Sequence, residues 1–128
     1  MNRKTSMIAV AFTLHAIHAN AAATENCSPT IGEHVFETKC AMCHSVDKTK
    51  GTLVGPNLAG VFGRAIGKLP GFAYSSVLAQ STGKWDEKEL DVFLKSPSAA
   101  KPGTAMPFTG IKNDADRAST ICYLQQQR

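Results

Sequence analysis

The sequence predicts an all-α domain of about four short helices joined by long glycine- and proline-rich loops, folded as one unit around a single rigid ligand. Three observations carry that expectation. Apolar residues recur at helical spacing behind N-cap residues at Ser28, Asp86 and Asn113. The stretch 45–71 holds Gly51, Gly55, Pro56, Gly60, Gly63, Gly67, Pro70 and Gly71, a structureless length that a compact domain tolerates only with a reason, such as wrapping a ligand. Between these two features stands Cys40-Ala41-Met42-Cys43-His44.

The helices can be justified in order. Ser28 caps the first, Pro29 suits its first position, and Ile31, Val35 and Phe36 are predicted to share one face. Gly32 weakens that helix and makes sense if another helix crosses there closely. A short helical piece is predicted around 74–80. Asp86 and Glu89 then form a D-x-x-E start, with Leu90, Phe93 and Leu94 as the apolar face of a helix that Ser96-Pro97 ends. Asn113 caps the last helix, Asp114 and Asp116 occupy its first turn, and Ile121, Tyr123 and Leu124 are its apolar residues.

The C-x-x-C-H stretch carries the chemistry. Two thiols three residues apart on one turn are placed to add to the two vinyl groups on one edge of a porphyrin, and the adjacent His44 then falls beneath the iron as an axial ligand. Two other uses of a C-x-x-C pair fit the sequence less well. A thioredoxin-like redox pair belongs beside a βαβ pattern, and no parallel-strand pattern follows here. A structural zinc site wants a second ligand pair at short spacing, whereas Cys27 and Cys122 lie near opposite ends of the mature chain.

The 128 residues contain no internal repeat, which bounds them to one small domain. Asn2-Arg3-Lys4, the apolar run 7–17 and the small residues ending at Ala21 or Ala23 read as a cleavable signal peptide over 1–23, with the domain at 24–128. The run is short for a membrane span, so no stable membrane insertion is expected. Export implies an oxidising compartment, the periplasm. If Cys40 and Cys43 hold a haem, Cys27 and Cys122 remain as an even pair. A disulfide tying the two terminal helices is the expectation, with two separate thiols as the alternative. The formal charge of +4 falls to +2 once Arg3 and Lys4 leave. The lysines are scattered rather than striped, which argues against nucleic-acid binding.

Outside the motif, three residues stand out. Pro56 follows Gly55 in the loop, and its carbonyl is suited to fixing the His44 ring; an ordinary rigid turn fits the spacing as well. Trp85, the sole tryptophan, reads as core with an indole N–H that needs a partner. Met106 stands between Pro102-Gly103 and Pro107, off any helical stripe, and position alone leaves it balanced between core filler and iron ligand.

Taken together, Cys40-Ala41-Met42-Cys43-His44, Gly55-Pro56-Asn57-Leu58, Phe62-Gly63-Arg64, Pro70-Gly71-Phe72-Ala73-Tyr74, Trp85 and Pro102-Gly103-Thr104-Ala105-Met106 resemble a class I c-type cytochrome of the mitochondrial-like and small soluble bacterial branch. The resemblance runs from Gly32 to Leu124. It implies a single cytochrome c domain with one covalent haem c on Cys40 and Cys43, and His44 and Met106 as iron ligands. The Pro56 carbonyl would lie on His44, with Arg64, Tyr74, Trp85 and Thr104 around a propionate edge. It implies a monomeric electron carrier rather than an enzyme. Its donor would be a quinol-oxidising complex or dehydrogenase, its acceptor an oxidase, peroxidase or photosynthetic centre. Departures accompany the matches. Phe93 stands where the family has a tyrosine whose hydroxyl reaches the methionine sulfur, and Leu78 where it has an asparagine. Ser98, Ala99 and Ala105 stand where it commonly has lysines, while Lys39 and Lys112 remain. Weaker, less salt-sensitive docking to an acidic oxidase is expected.

Overall fold

Capping decides where the helices begin. In the computed structural model, which describes residues 27–128, Ser28 Oγ accepts from the Ile31 amide at 3.4 Å and Pro29 opens α1 (Pro29–Lys39). Asp86 Oδ1 accepts from the Glu89 amide at 2.8 Å at the start of the helix Glu87–Lys95. Asn113 Oδ1 accepts from the Asp116 amide at 2.9 Å at the start of the helix Asp114–Gln126. Each cap satisfies an amide that the first turn would otherwise leave unpaired.

The chain order is α1, then α2 (Ser76–Ala79), α3 (Glu87–Lys95), α4 (Pro97–Ala100) and α5 (Asp114–Gln126). Among the described residues there is no strand, only an isolated antiparallel bridge between Ala65 and Lys84. The helix beyond the four expected is α4. Ser96-Pro97 does end α3, but the same Ser-Pro pair that starts α1 also places a proline at the first position of a new turn. The signal peptide expected over 1–23 lies outside the described residues.

α1 and α5 cross closely, and Gly32 permits it. A Cβ at Gly32 would sit 2.0 Å from the Ser119 carbonyl oxygen and 2.8 Å from Tyr123 Cβ. One turn along, the Phe36 and Tyr123 rings pack with centroids 5.5 Å apart. The disulfide Cys27–Cys122 joins the same two helices, with Cα atoms 5.9 Å apart and 95 residues between them in sequence. Closing a loop of that length stabilises the folded chain by about 4 to 5 kcal/mol in the chain-entropy account. Ile31 does not join the inner face of α1. It is 49% exposed, because Gly32, Val35 and Phe36 face α5 and the core, and Ile31 lies one residue round from them.

α3 lays Leu90, Phe93 and Leu94 into the same core as Phe36, Ile121 and Leu124. The belt 45–71 has no helix and satisfies its backbone locally. Asn57 Nδ2 donates to the Asp47 carbonyl at 2.8 Å and to the Lys50 carbonyl at 2.5 Å, while its Oδ1 accepts from the Ala59 amide. The belt is tied to the end of α5 by Gly60 N–H donating to the Gln127 carbonyl at 2.6 Å. No Cα of α2 comes within 8 Å of another helix, and α2 joins the core through its buried Leu78.

Candidate haem site

Where α1 ends, the backbone tightens. The Cys40 and Ala41 amides both donate to the Phe36 carbonyl, and the Cys43 and His44 amides to the Cys40 carbonyl. This turn sets Cys40, Cys43 and His44 on the wall of a cavity of about 560 Å³, a size suited to a large organic ligand. The cavity gathers every residue singled out from the sequence: Cys40, Cys43, His44, Pro56, Arg64, Tyr74, Trp85, Thr104 and Met106. Leu58, Val61, Leu78, Leu90, Phe93, Leu94 and Leu124 supply most of the rest of its apolar lining.

His44 is held on two sides. Its Nδ1 lies 2.8 Å from the Pro56 carbonyl oxygen. A carbonyl can only accept, so Nδ1 carries the proton and Nε2 keeps its lone pair. Burial pushes the imidazole pKa down, against a smaller upward pull from the Pro56 carbonyl, so the neutral ring that can ligate a metal is favoured. On the other side lies Gly55, where a Cβ would sit 2.3 Å from His44 Cε1. Gly55 N–H also donates to the Cys43 carbonyl at 2.8 Å, so the loop that orients the ring is tied to the motif itself.

Burial pushes the Cys40 thiol up to about 11. That is the reverse of a reactive redox cysteine, whose environment favours the thiolate. A thioether in the same place carries no charge and loses nothing by being buried. Among the described residues no group of three or more His, Cys, Asp or Glu side chains could hold a metal, and Cys27 and Cys122 are bonded to each other. A dithiol switch and a zinc site are therefore both disfavoured by the surroundings of the motif.

The Met106 loop is stiffened from within and pinned beyond. Thr104 N–H donates to the Lys101 carbonyl at 3.0 Å, Met106 N–H to Thr104 Oγ1 at 3.4 Å, and Phe108 N–H to the Met106 carbonyl at 2.9 Å. Further on, Ile111 N–H donates to the Leu94 carbonyl at 2.8 Å and Lys112 Nζ to the Lys95 carbonyl at 2.7 Å. Arg117, 4% exposed, completes the brace. Its Nη1 donates to the Ile111 carbonyl at 3.0 Å, its Nε to Asp91 at 2.6 Å and its Nη2 to Asp114 at 2.7 Å.

Arg64 lines the cavity with two of its donors already engaged, Nη1 on the Asn57 carbonyl at 2.9 Å and Nη2 on the Ala59 carbonyl. Tyr74 stands edge-on to Phe72 with centroids 4.7 Å apart. Trp85 packs against Phe93 at 5.0 Å. Phe93 brings no hydroxyl and Leu78 no amide to the cavity that Met106 also lines.

Two residues escaped the sequence reading. Arg117 lies four and seven residues before Ile121 and Leu124, an arginine in register with the buried stripe of α5 and three residues after Asp114, so a helical-wheel inspection would have found it. Ser75 carries no comparable signal. Its Oγ is buried without a hydrogen-bond partner and the residue lines the cavity, as expected of a hydroxyl that meets a polar group of a ligand. The unpaired hydroxyl, the glycine pressed on the imidazole, the uncharged Cys40 thiol and the apolar walls all fit a haem held by Cys40 and Cys43.

The Cytochrome c family model matches residues 30–128. A cytochrome c of Gossypium barbadense is 45% identical over 95 residues, covering 74% of this chain and 86% of that protein, and one of Sesamum indicum matches to the same extent. A "cytochrome c-type cyt cy" of Rhodobacter capsulatus is 44% identical over 93 residues, covering 73% of this chain and 46% of that longer protein. This chain belongs to the cytochrome c family and takes one covalent haem c on Cys40 and Cys43.

Proposed function

We propose that this member of a family of electron carriers works in the periplasm as a monomer, passing single electrons through a haem whose iron His44 and Met106 would hold. A haem c bound here supplies a one-electron ferric/ferrous couple. The observation that carries the ligand assignment is the His44 ring. Its Nδ1 is committed to Pro56, which leaves Nε2 as the donor on a cavity that Met106 also lines.

The chain's residues support outer-sphere transfer. Cys40 and Cys43 keep the group in place in both oxidation states, and the braced turns at 55–56 and 104–112 hold both ligand side chains, so little has to move when charge changes. With the His44 imidazole and the Met106 thioether both given to it, a bound haem iron would have no site left for dioxygen or a substrate. Arg64, Tyr74, Trp85, Thr104 and Ser75 are the polar groups available to the propionates. The donor is a membrane quinol-oxidising complex or a dehydrogenase, and the acceptor an oxidase, a peroxidase or a photosynthetic centre. The disulfide Cys27–Cys122 supports an oxidising compartment. No helix among the described residues is long and apolar enough to cross a membrane.

The test is ligand accessibility. The purified haem-loaded protein should be reduced by ascorbate, show a low-spin spectrum in both states, and leave that spectrum unchanged under carbon monoxide. Carbon monoxide binding to the ferrous form, or rapid peroxide turnover by the ferric form, would show an open iron and contradict the proposal.

A further inference from the structure

Four cysteines share this chain, and they meet two fates. Cys27 and Cys122 are bonded to each other with Cα atoms 5.9 Å apart, while Cys40 and Cys43, the haem attachment pair, stand at the far end of α1. Chain statistics alone would pair them differently. Cys40 lies 13 residues beyond Cys27, and Cys122 lies 95 beyond it. The chance of closing a loop falls as about the 3/2 power of its length, so a disordered chain would join Cys27 to Cys40 about twentyfold more often than to Cys122.

α1 reverses that preference by acting as a spacer. From its cap at Ser28 to Cys40 it spans about 18 Å, whereas a disulfide needs Cα atoms within about 7 Å. Cys43 stays at the same end, its amide donating to the Cys40 carbonyl at 3.0 Å. At the other end the Ser28 amide donates to Ser119 Oγ at 3.3 Å, and Gly32 lets the backbone of α1 meet the Ser119 carbonyl. Contacts that involve neither sulfur therefore bring Cys122 to Cys27.

The seam is also separate from the haem. Ser28, Gly32, Ser119, Cys122 and Tyr123 do not line the cavity, whereas Thr120 and Leu124, on another face of α5, do. We infer that Cys27–Cys122 closes on the haem-free chain once α1 and α5 have crossed, so that thiol–disulfide exchange precedes thioether formation and α1 withholds Cys40 and Cys43 from Cys27. The step needs a disulfide donor, a small-molecule or protein disulfide. One of the two thiols gives up its proton, and its thiolate attacks a donor sulfur, breaking the donor's S–S bond and releasing one donor thiol, which takes up that proton. The second thiol, likewise deprotonated, attacks the mixed disulfide at the protein sulfur, which forms Cys27–Cys122 and frees the second donor thiol with the second proton. Two protein thiols are oxidised and one donor disulfide is reduced.

Oxidation by glutathione disulfide tests the inference, on the full chain made without haem attachment and reduced at all four cysteines. After alkylation, peptide mapping by mass spectrometry reads which cysteine has joined Cys27. In native buffer Cys122 should exceed Cys40 and Cys43 together by at least about tenfold, and in concentrated guanidinium chloride Cys40 should lead Cys122 by about twentyfold. Gly32→Val, whose side chain would meet the Ser119 carbonyl, should cut the native excess at least about tenfold. Cys27 found in native buffer mainly on Cys40, on Cys43 or on glutathione, or left free, would overturn the inference. So would a native excess that Gly32→Val leaves unchanged, or Cys122 leading in guanidinium chloride. None of these readings involves electron transfer, so their failure and that of the electron-carrier proposal are told apart.

Discussion

The α1–α5 crossing and the loop belt around the cavity are held by different things. At the crossing, Gly32 lets two backbones touch, Phe36 and Tyr123 pack ring to ring, and Cys27–Cys122 bonds the helices covalently. All of that is protein against protein. The belt 45–71, together with α2 and the Met106 loop, has turns, an isolated bridge and an apolar wall that faces a cavity. One region carries its stability within the chain, and the other is complete only around what it encloses.

The largest expected effect breaks that contrast open. Cys40→Ala with Cys43→Ala should abolish haem retention on a denaturing gel. By hydrogen exchange, 45–71 and 101–112 should then lose protection to a greater degree than α1 and α5. Equal loss everywhere would show that the crossing depends on haem as much as the belt does. Next, removing the disulfide by Cys27→Ser with Cys122→Ser should cost about 4 kcal/mol in denaturant unfolding and leave the visible spectrum unchanged. Gly55→Ala acts on the other region. Its methyl would meet the His44 ring, so a loss of about 3 kcal/mol accompanied by a changed ferric spectrum is expected. Arg117→Met should cost about 2 kcal/mol, because it leaves the Ile111 carbonyl without its donor while Asp91 and Asp114 stay solvated. It should also weaken the spectroscopic signature of methionine ligation.

The smallest effect concerns acid. The Arg117 guanidinium beside Asp114 holds its carboxyl below the usual aspartate range. A carboxyl depressed in the folded state stabilises above its unfolded pKa, and that contribution is lost as pH falls through the folded value. Asp114→Asn should therefore flatten the decline in stability on acidification below about pH 4, with little change at neutrality, by thermal melts at several pH values.

Legibility in the sequence followed the same division. Caps, the glycine at the crossing and the C-x-x-C-H turn are local rules, and Ser28, Asp86, Asn113 and Gly32 stand where those rules put them. That Pro56, Arg64, Tyr74, Trp85, Thr104 and Met106 line one cavity was not local information. Their juxtaposition came from a resemblance across the whole chain. α4 was missed because Ser96-Pro97 serves as both a stop and a start. Arg117 was missed because only the apolar residues of α5 were used to define its inner face, and Ser75 because a buried hydroxyl without a partner has no signature in sequence.

The assignment of Met106 as the second ligand is tested most directly by the weak sulfur-to-iron charge-transfer band of the ferric haem-loaded protein. Wild type and Met42→Ala should show the band, and Met106→Ala should lose it and turn high-spin. A wild-type protein without the band, or a Met106→Ala protein that keeps it, would contradict the account.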